Sequence, residues 1–384
     1  MNIKISYFLI LFSVLLTITS CNNEKKKENI SEPKIANNEY LILGNLKNVA
    51  DSTWIYINQD NNLIDSTQII NEKFEFRGSV KEPTSFFMIV GKFKPDFFTL
   101  WAENKEIKIK GEKGNLREAI IIAGETQRES LLTKPITDSI FQKIKDGQKP
   151  LRNRQLNKQL SKSERDSLIQ HQNKLLDEIR KIYQQFIIEH PDSYVSGDYL
   201  KTYNTSWDKK IVSKLYNNLS DRIKKSKNGK EIEHFLSLPE TPKIGEKYID
   251  FELPDTTGTL VRLSDNASTY TLVEFWASWC GPCIKENPKL VKTYNQYRDK
   301  GFEIIGISLD NTKKHWLKAI EKDKLPWINV SDLTGSKTKI ALIYGVNGIP
   351  DNFLINETGE IISKNLRGKQ LEEKLKELFS VIDI

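Results

Sequence analysis

The sequence predicts a multidomain protein with an all-β domain first, a helical middle segment, and an α/β domain at the C-terminal end. Short β-prone runs recur at hairpin spacing up to about residue 133, and amphipathic helical periodicity replaces them from about residue 135. Beyond residue 241 strands alternate with helices, which implies a parallel-containing sheet covered on both faces. A chain of 384 residues is also too long for one ordinary core.

Composition and charge exclude several classes of protein. With 38% hydrophobic and 28% charged residues, the chain has the composition of a globular protein. The net charge of +7 suits an anionic membrane surface but is too diffuse to indicate a nucleic-acid partner. The glycine-rich patterns of dinucleotide sites and of P-loops are absent, so the sequence offers no motif for a nucleotide, a flavin or a nicotinamide.

The N-terminal segment predicts export. Lys4 precedes an apolar run over residues 5–18, which is shorter than the ~20 residues that a membrane-spanning helix needs. Ile-Thr-Ser-Cys at residues 18–21 resembles a bacterial lipobox, in which the cysteine is acylated and becomes the mature N-terminus. We therefore expect Cys21 to be lipidated, and an ordinary cleaved signal with an incidental cysteine is the alternative. The Lys- and Asn-rich stretch that follows is predicted to be a flexible tether.

The β-prone runs predict a β-sandwich or an open barrel. Gly, Asn-Asn and Pro separate the runs, which fall at residues 40–44, 54–57, 74–78, 86–90 and 107–110. The segment resembles the β-rich domain that precedes redox domains in some envelope lipoproteins, on residues 41–44, 64–67, 74–78 and 124–125. Four aromatic residues are predicted to be core, with a ligand-binding surface as the alternative: Phe93, Phe97, Phe98 and Trp101.

The middle segment predicts a helical spacer. Apolar residues recur every three or four positions between residues 163 and 190, which predicts a helix of about 25 residues that ends before Pro191. The opposite face is rich in Lys and Arg, and it fits a solvated face on a helix packed between two domains. A partner or dimer surface, or a contact with anionic lipid, is the alternative. Amphipathic stretches at residues 193–203 and 207–225 complete the spacer.

A domain boundary is predicted at residues 238–242. This segment contains prolines at positions 239 and 242, and the spacing of apolar residues changes there. The C-terminal part opens with a predicted β-hairpin over residues 248–263 and closes with a predicted helix over residues 369–380. Between them the predicted strands cover residues 270–277, 302–308, 328–332, 352–356 and 361–366, and the predicted helices cover residues 280–300, 313–323 and a stretch from 336.

One stretch of this part carries chemistry. Residues 271–283 join a predicted strand to a predicted helix and end in Cys-Gly-Pro-Cys. A strand that delivers such a pair to the first turn of a helix is the geometry of thiol–disulfide exchange, because the positive end of the helix dipole favours a thiolate. With Cys21 lipidated, Cys280 and Cys283 are the only thiols left, so no second pair exists to complete a four-cysteine zinc site. A purely structural disulfide is disfavoured, because so small a ring constrains little chain.

These residues resemble the thioredoxin fold, and within it the TlpA/ResA-like thiol–disulfide oxidoreductases of the bacterial envelope. Residues 242–380 carry the resemblance. Trp-Cys-Gly-Pro-Cys at residues 279–283 matches the active-site pentapeptide, and Gly-Ile-Pro at residues 348–350 corresponds to the cis-proline loop. The hairpin and an insertion at about 311–335 fit the TlpA/ResA branch better than plain thioredoxin.

The resemblance implies a role for each site residue. Cys280 is expected to attack the substrate disulfide, and Cys283, one turn further into the helix, to resolve the mixed disulfide. This redox-active disulfide implies no further cofactor and no metal. A cis Pro350 would fix the loop that faces the sulfurs, which leaves the backbone of Ile349 free to pair with a substrate strand. Trp279 is expected at the substrate-binding surface and, with Trp276, to pack around the site.

Two carboxylates are candidates for proton transfer and for tuning the thiols. Glu274 corresponds to the buried aspartate of thioredoxin, where desolvation would raise its pKa and let it take the proton of Cys283. Alternation along the strand leaves a solvent-facing Glu274 as the alternative. Glu286 corresponds to the TlpA/ResA glutamate that modulates the cysteines, and a solvated helix carboxylate is the alternative for it.

The resemblance implies a lipid-anchored enzyme that reduces disulfides of exported proteins. Its partners would be disulfide-containing envelope proteins and a membrane thiol electron donor, and it would reside in the cell envelope, facing the periplasm or in the outer membrane. One alternative is a binding module that captures an envelope partner through its β domain. Another is a thiol peroxidase, disfavoured because Thr271 and Phe275 precede a Cys-x-x-Cys rather than standing in a Pro-x-x-x-Thr-x-x-Cys segment.

The predicted division of the chain follows from these observations. A lipoprotein signal peptide occupies residues 1–20 and the tether residues 21–38. The β-rich N-terminal domain covers residues 39–134, the helical spacer residues 135–240, and the thioredoxin-like domain residues 241–384.

Overall fold

The computed structural model describes residues 38–60, 62–92, 95–157, 161–335 and 338–382. The predicted signal peptide, Cys21, nearly all of the tether, and Phe93 lie outside the described residues. Within these ranges, no helix combines the length and the apolar character that crossing a bilayer requires.

Two four-stranded sheets form the N-terminal domain. Their strand orders are β4-β1-β7-β8 and β3-β2-β5-β6, with β1 parallel to β7 and antiparallel to β4. One hydrophobic cluster takes Ile42 and Phe76 from the first sheet and Ile55 and Met88 from the second, so the domain is a sandwich rather than an open barrel. The strands are β1 (Tyr40–Lys47), β2 (Thr53–Gln59), β3 (Asn62–Ile69), β4 (Lys73–Gly78), β5 (Thr84–Val90), β6 (Asp96–Ala102), β7 (Glu106–Glu112) and β8 (Ile120–Ile122).

The middle segment is helical, as predicted. Its long helix ends before Pro191 as expected and starts at a capping box, in which Ser161 and Glu164 satisfy each other's backbone N–H groups. The stretch predicted as one element at residues 207–225 is two helices, because Leu219 is extended and the side chain of Ser220 caps the second helix. The helices are α1 (Glu125–Ser130), α2 (Lys134–Asn157), α3 (Lys162–Glu189), α4 (Tyr194–Tyr203), α5 (Lys209–Asn218), α6 (Asp221–Lys225) and α7 (Lys227–Ser237).

The C-terminal domain is built on a five-stranded sheet of order β13-β12-β11-β14-β15. The central β11 is parallel to β12 and antiparallel to β14. Its elements are β9 (Glu252–Pro254), β10 (Leu260–Arg262), α8 (Leu263–Asn266), β11 (Tyr270–Trp276), α9 (Gly281–Tyr297), β12 (Phe302–Ser308), α10 (Lys313–Asp323), β13 (Ile328–Val330), α11 (Lys339–Ile343), β14 (Asp351–Asn356), β15 (Ile361–Lys364) and α12 (Lys369–Ile382).

The sheet topology brings two loops to one edge. Asp351, the first residue of β14, pairs with Phe275 near the end of β11. The loop that precedes β14 and the loop that follows β11 therefore meet at the same edge of the sheet. These are the loops that carry Pro350 and Cys280.

The helical segment contacts both neighbouring domains. Trp101 of β6 packs against Phe186 of α3 and Val195 of α4, which identifies this aromatic residue as a junction between the sandwich and the helices. On the other side, Leu342 of α11 packs against the hydrophobic core of the helices. The side chain of Asn347 donates a hydrogen bond of 3.3 Å to the carbonyl oxygen of Thr205. The helices thus reach the loop that leads into β14.

Candidate redox site

The two cysteines of the central motif are joined at the start of a helix. Cys280 and Cys283 form a disulfide, with their Cα atoms 5.2 Å apart. Cys280 is the N-cap of α9, and its sulfur accepts a hydrogen bond of 3.2 Å from the backbone N–H of Cys283. Pro282 stands in the first turn, where its missing N–H costs no helical hydrogen bond. Cys280 is 4% exposed and Cys283 is 1% exposed, so the outer sulfur is only slightly more accessible.

A buried aspartate holds the loop in front of the cysteines. The carboxylate of Asp310 accepts hydrogen bonds from the backbone N–H and the hydroxyl of Ser278 and from the hydroxyl of Ser308. Trp279 projects from this loop and is 61% exposed, whereas Trp276 is 1% exposed and bonds Asn329. Trp276 is therefore part of the domain core, whereas Trp279, next to Cys280 in sequence, presents its side chain to solvent.

The proline loop has the geometry that the resemblance implied. The peptide bond between Ile349 and Pro350 is cis. Among the described residues, the backbone N–H and carbonyl of Ile349 make no backbone hydrogen bond. Strand pairing in β14 starts only at Asp351, so these two groups lie just beyond the ladder.

Glu274 is buried in the middle of the central sheet. Its side chain is 3% exposed, so the solvent-facing alternative is wrong. One carboxylate oxygen accepts a hydrogen bond of 2.8 Å from the amide of Asn352, its partner across the strands. Burial raises the pKa of Glu274 to about 8, although the Asn352 bond and the charge of Arg367 oppose the rise. A carboxyl group with this pKa exchanges protons near neutral pH.

Glu286 lies on the first turns of α9 and bridges two segments. One oxygen accepts a hydrogen bond of 2.7 Å from the backbone N–H of Gly368, and the other pairs with Lys289 at 2.8 Å. Its side chain is 13% exposed, so a solvated carboxylate is the wrong description. The negative charge of Glu286 also contributes to the raised pKa of Glu274.

Three residues of the site were not anticipated from the sequence, namely Asp310, Asn352 and Arg367. Asp310 follows the predicted strand at residues 302–308, which is parallel to β11. Because the carboxyl ends of parallel strands meet at one edge of a sheet, the sequence could have indicated that Asp310 lies near the cysteine loop. Asn352 is a polar residue at the start of β14, before its apolar residues, and stands opposite Glu274. Arg367 lies in a loop, and no sequence signal places it near the cysteines. No group of three or more His, Cys, Asp or Glu is arranged for a metal within the described ranges.

Comparison with known proteins identifies the family of the domain that carries this site. The sequence model of the AhpC/TSA family matches residues 244–364. Thiol-disulfide oxidoreductase ResA of Bacillus cereus (strain ATCC 10987 / NRS 248) is 31% identical over 148 residues, which cover 38% of this chain and 83% of the relative. The chain belongs to the ResA-like thiol–disulfide oxidoreductases. ResA of Bacillus subtilis (strain 168) is 27% identical over 133 residues, 35% of this chain and 72% of that relative.

Solved structures and a second family model complete the comparison. The thioredoxin domain of a thiol-disulfide oxidoreductase from Bacteroides vulgatus is 35% identical, with a TM-score of 0.35, and the match covers 36% of this chain and 99% of that one. A thiol-disulfide oxidoreductase from Bacteroides fragilis NCTC 9343 is 37% identical, with a TM-score of 0.33, covering 35% of this chain and 99% of that one. Residues 40–131 match a domain of unknown function, DUF4369.

Proposed function

We propose that this ResA-like oxidoreductase is a lipid-anchored enzyme that reduces disulfides of exported proteins through the Cys280–Cys283 dithiol. The observation that carries the proposal is the disulfide at the N-terminus of α9, at the sheet edge where the cis-proline loop also lies. Its substrates would be disulfide-containing proteins of the envelope, and a membrane thiol donor would return the dithiol to its reduced state.

The reduced enzyme carries out two exchange steps. The thiolate of Cys280 attacks one sulfur of the substrate disulfide, a mixed disulfide forms, and the other substrate sulfur leaves as a thiolate. Cys283 then loses its proton and attacks the sulfur of Cys280, which releases the second substrate thiolate. Two electrons pass to the substrate, and the enzyme ends with the Cys280–Cys283 disulfide.

Glu274 is proposed as the base that takes the proton of Cys283. Its carboxyl group is buried in the strand that leads to the cysteines, and its pKa is raised to about 8. Glu274 is therefore mostly protonated at pH 7, and the fraction that carries the carboxylate rises above that pH. Glu286 is proposed to tune the site through its charge and through its bond to Gly368.

The substrate is proposed to bind as an extended strand along the cis-proline loop. The backbone groups of Ile349 are free of backbone partners among the described residues, and they lie next to Pro350 at the end of β14. Pairing through main-chain groups suits many sequences, as an exchange enzyme requires. The exposed ring of Trp279 supplies an apolar contact beside Cys280.

The anchor is proposed at Cys21. The lipobox-like residues 18–21 support acylation, and the basic, Asn-rich stretch after them would tether the folded domains to the membrane. The enzyme would then reside in the cell envelope, facing the periplasm or in the outer membrane.

A trapping experiment with Cys283→Ser tests the chemistry. Without the resolving thiol, the mixed disulfide between Cys280 and a substrate persists. We expect envelope proteins to appear as adducts of this variant that dithiothreitol releases, on non-reducing gels followed by mass spectrometry. Cys280→Ser is the matched control, since it retains Cys283 and Cys21. Equal adducts with both variants, or none with Cys283→Ser, would contradict the proposed roles.

A further inference from the structure

One loop outside the cysteine motif reaches into the site. It joins β15 to α12 and carries Arg367. The guanidinium donates a hydrogen bond to the carbonyl oxygen of Pro350, and its other terminal nitrogen lies 3.9 Å from a carboxylate oxygen of Glu274. That nitrogen is buried and has no hydrogen-bond partner within the described residues. Arg367 therefore stands between the cis-proline loop and the buried acid.

The backbone on both sides of Arg367 is fixed. The side chain of Asn352 accepts a hydrogen bond of 2.9 Å from the N–H of Leu366 and donates one of 2.8 Å to its carbonyl oxygen. On the other side, the N–H of Gly368 donates to Glu286 at 2.7 Å. The loop is thus attached to β14 and to α9, which fixes the backbone from which the side chain of Arg367 extends.

Arg367 is the cation that faces Glu274 most directly. The other charged groups that act on Glu274 are Asp351 on β14 and Glu286 on α9, and both are acidic. Each of these acids has a lysine partner of its own, Lys364 at 3.8 Å and Lys289 at 2.8 Å respectively. Among these groups, Arg367 alone stabilises the carboxylate form of Glu274.

We propose that Arg367 is a positioning residue for disulfide exchange, which holds the Pro350 carbonyl and the Glu274 carboxylate in one fixed arrangement. The inference rests on the proposed role of Glu274 as the base for Cys283. Arg367 takes one acceptor position of the Pro350 carbonyl, and the N–H and carbonyl of Ile349, which have no backbone partner among the described residues, are the groups proposed to pair with the substrate strand. Strand binding and proton transfer are thereby coupled through a single side chain.

The test compares Arg367→Gln with Arg367→Lys. Steady-state kinetics with a disulfide-bonded peptide are measured from pH 6 to pH 10. An opposite charge at this distance shifts a carboxyl pKa by about one unit or more, so we expect Arg367→Gln to move the ascending limb of the kcat profile to higher pH by about one unit. Near pH 7 kcat falls by roughly tenfold and recovers at high pH. KM for the peptide rises as well, because the proline loop loses its anchor.

Arg367→Lys keeps the charge and is expected to keep most of the pH profile while KM still rises. Arg262→Gln is the matched control, an exposed arginine paired with Glu252 at 3.6 Å on the β9–β10 hairpin, and it should change neither quantity. Circular dichroism and thermal unfolding establish that each variant is folded. If Arg367→Gln does not fold, Arg367→Lys still tests the KM effect.

Measuring Arg367→Gln in an enzyme that also carries Glu274→Gln separates the inference from the proposed function. If Glu274 is the base, Glu274→Gln abolishes the ascending limb of the kcat profile, and Arg367→Gln in that background changes only KM. If Glu274→Gln retains the ascending limb of the kcat profile, Glu274 is not the base. The change in KM alone then tests the positioning role of Arg367. A profile and a KM for Arg367→Gln that match the unsubstituted enzyme would overturn the inference in either case.

Discussion

At the scale of single residues, Glu274 explains how a charged residue can occupy the centre of a sheet. β11 is buried along its length, and an ionised carboxylate there would be strongly unfavourable. The group responds by binding its proton more tightly, so its pKa rises to about 8. This raised pKa has a cost in stability at neutral and alkaline pH.

We predict that Glu274→Gln removes this cost. In the unfolded chain the carboxyl group ionises near its ordinary pKa of 4.5, whereas in the folded protein it stays protonated until about pH 8. Between these values the unfolded state binds fewer protons, so the free energy of unfolding falls as pH rises, by about 1.4 kcal/mol per pH unit. Glu274→Gln should lack this slope. Urea denaturation of the oxidised protein at pH 5, 6 and 7.5 measures it, and parallel slopes for both proteins would contradict the prediction.

Individual site residues also differ in whether the sequence could predict them. Cys280 and Cys283 could be foreseen from their spacing, whereas Pro350 and Glu274 were implied by the resemblance to the thioredoxin fold. Arg367 and Asn352 act through contacts between segments, and such contacts follow from strand register, which no local pattern encodes. The depth of burial of Cys280 was likewise set by tertiary packing.

At the scale of secondary-structure elements, the bounds of those with a regular hydrophobic pattern were the most predictable. β12 and α10 have the predicted bounds, because a buried strand and an amphipathic helix follow simple periods. β3 was not predicted, since most of its residues are exposed and polar. α2 was not predicted as a separate helix, because Gly147 and Pro150 interrupt its propensity for helix. Loops between elements, such as the one that Asp310 holds, were the least predictable part of the site.

We predict that Asp310→Ala loosens the loop that presents Cys280. The substitution removes the acceptor for the N–H and hydroxyl of Ser278, and a lost bond to a buried carboxylate costs roughly 1.5–3 kcal/mol. The free energy of unfolding should fall by about that much, and the rate of disulfide exchange should fall as the loop moves. Ser278→Ala is the control, because it keeps the N–H bond and should cost about 1 kcal/mol. Equal losses in the two variants would argue against a backbone anchor at Asp310.

At the scale of the whole molecule, the helical segment connects the sandwich to the redox domain. Its contacts with the sandwich include Trp101 with Phe186 and a hydrogen bond of 2.8 Å from the N–H of Lys227 to Glu82. Toward the redox domain, Thr205 and Asn347 bond each other twice, and Asn347 lies two residues before Ile349. The turn between α4 and α5, which carries Thr205, is therefore bonded to the segment that precedes the cis-proline.

We predict that Asn347→Ala weakens exchange with protein substrates and leaves small disulfides unaffected. The lost hydrogen bonds are exposed, so the free energy of unfolding should change by less than about 1 kcal/mol. A more mobile loop aligns the Ile349 backbone less well with a substrate strand, so KM for a disulfide-bonded protein should rise about threefold to tenfold. A small aromatic disulfide needs no strand pairing and should react at the original rate. Thr205→Val, which removes the hydroxyl but keeps the bond to the Thr205 carbonyl, should have a smaller effect. If both substrates slow equally, the loop acts on the cysteines themselves, and the helices do not contribute to strand binding.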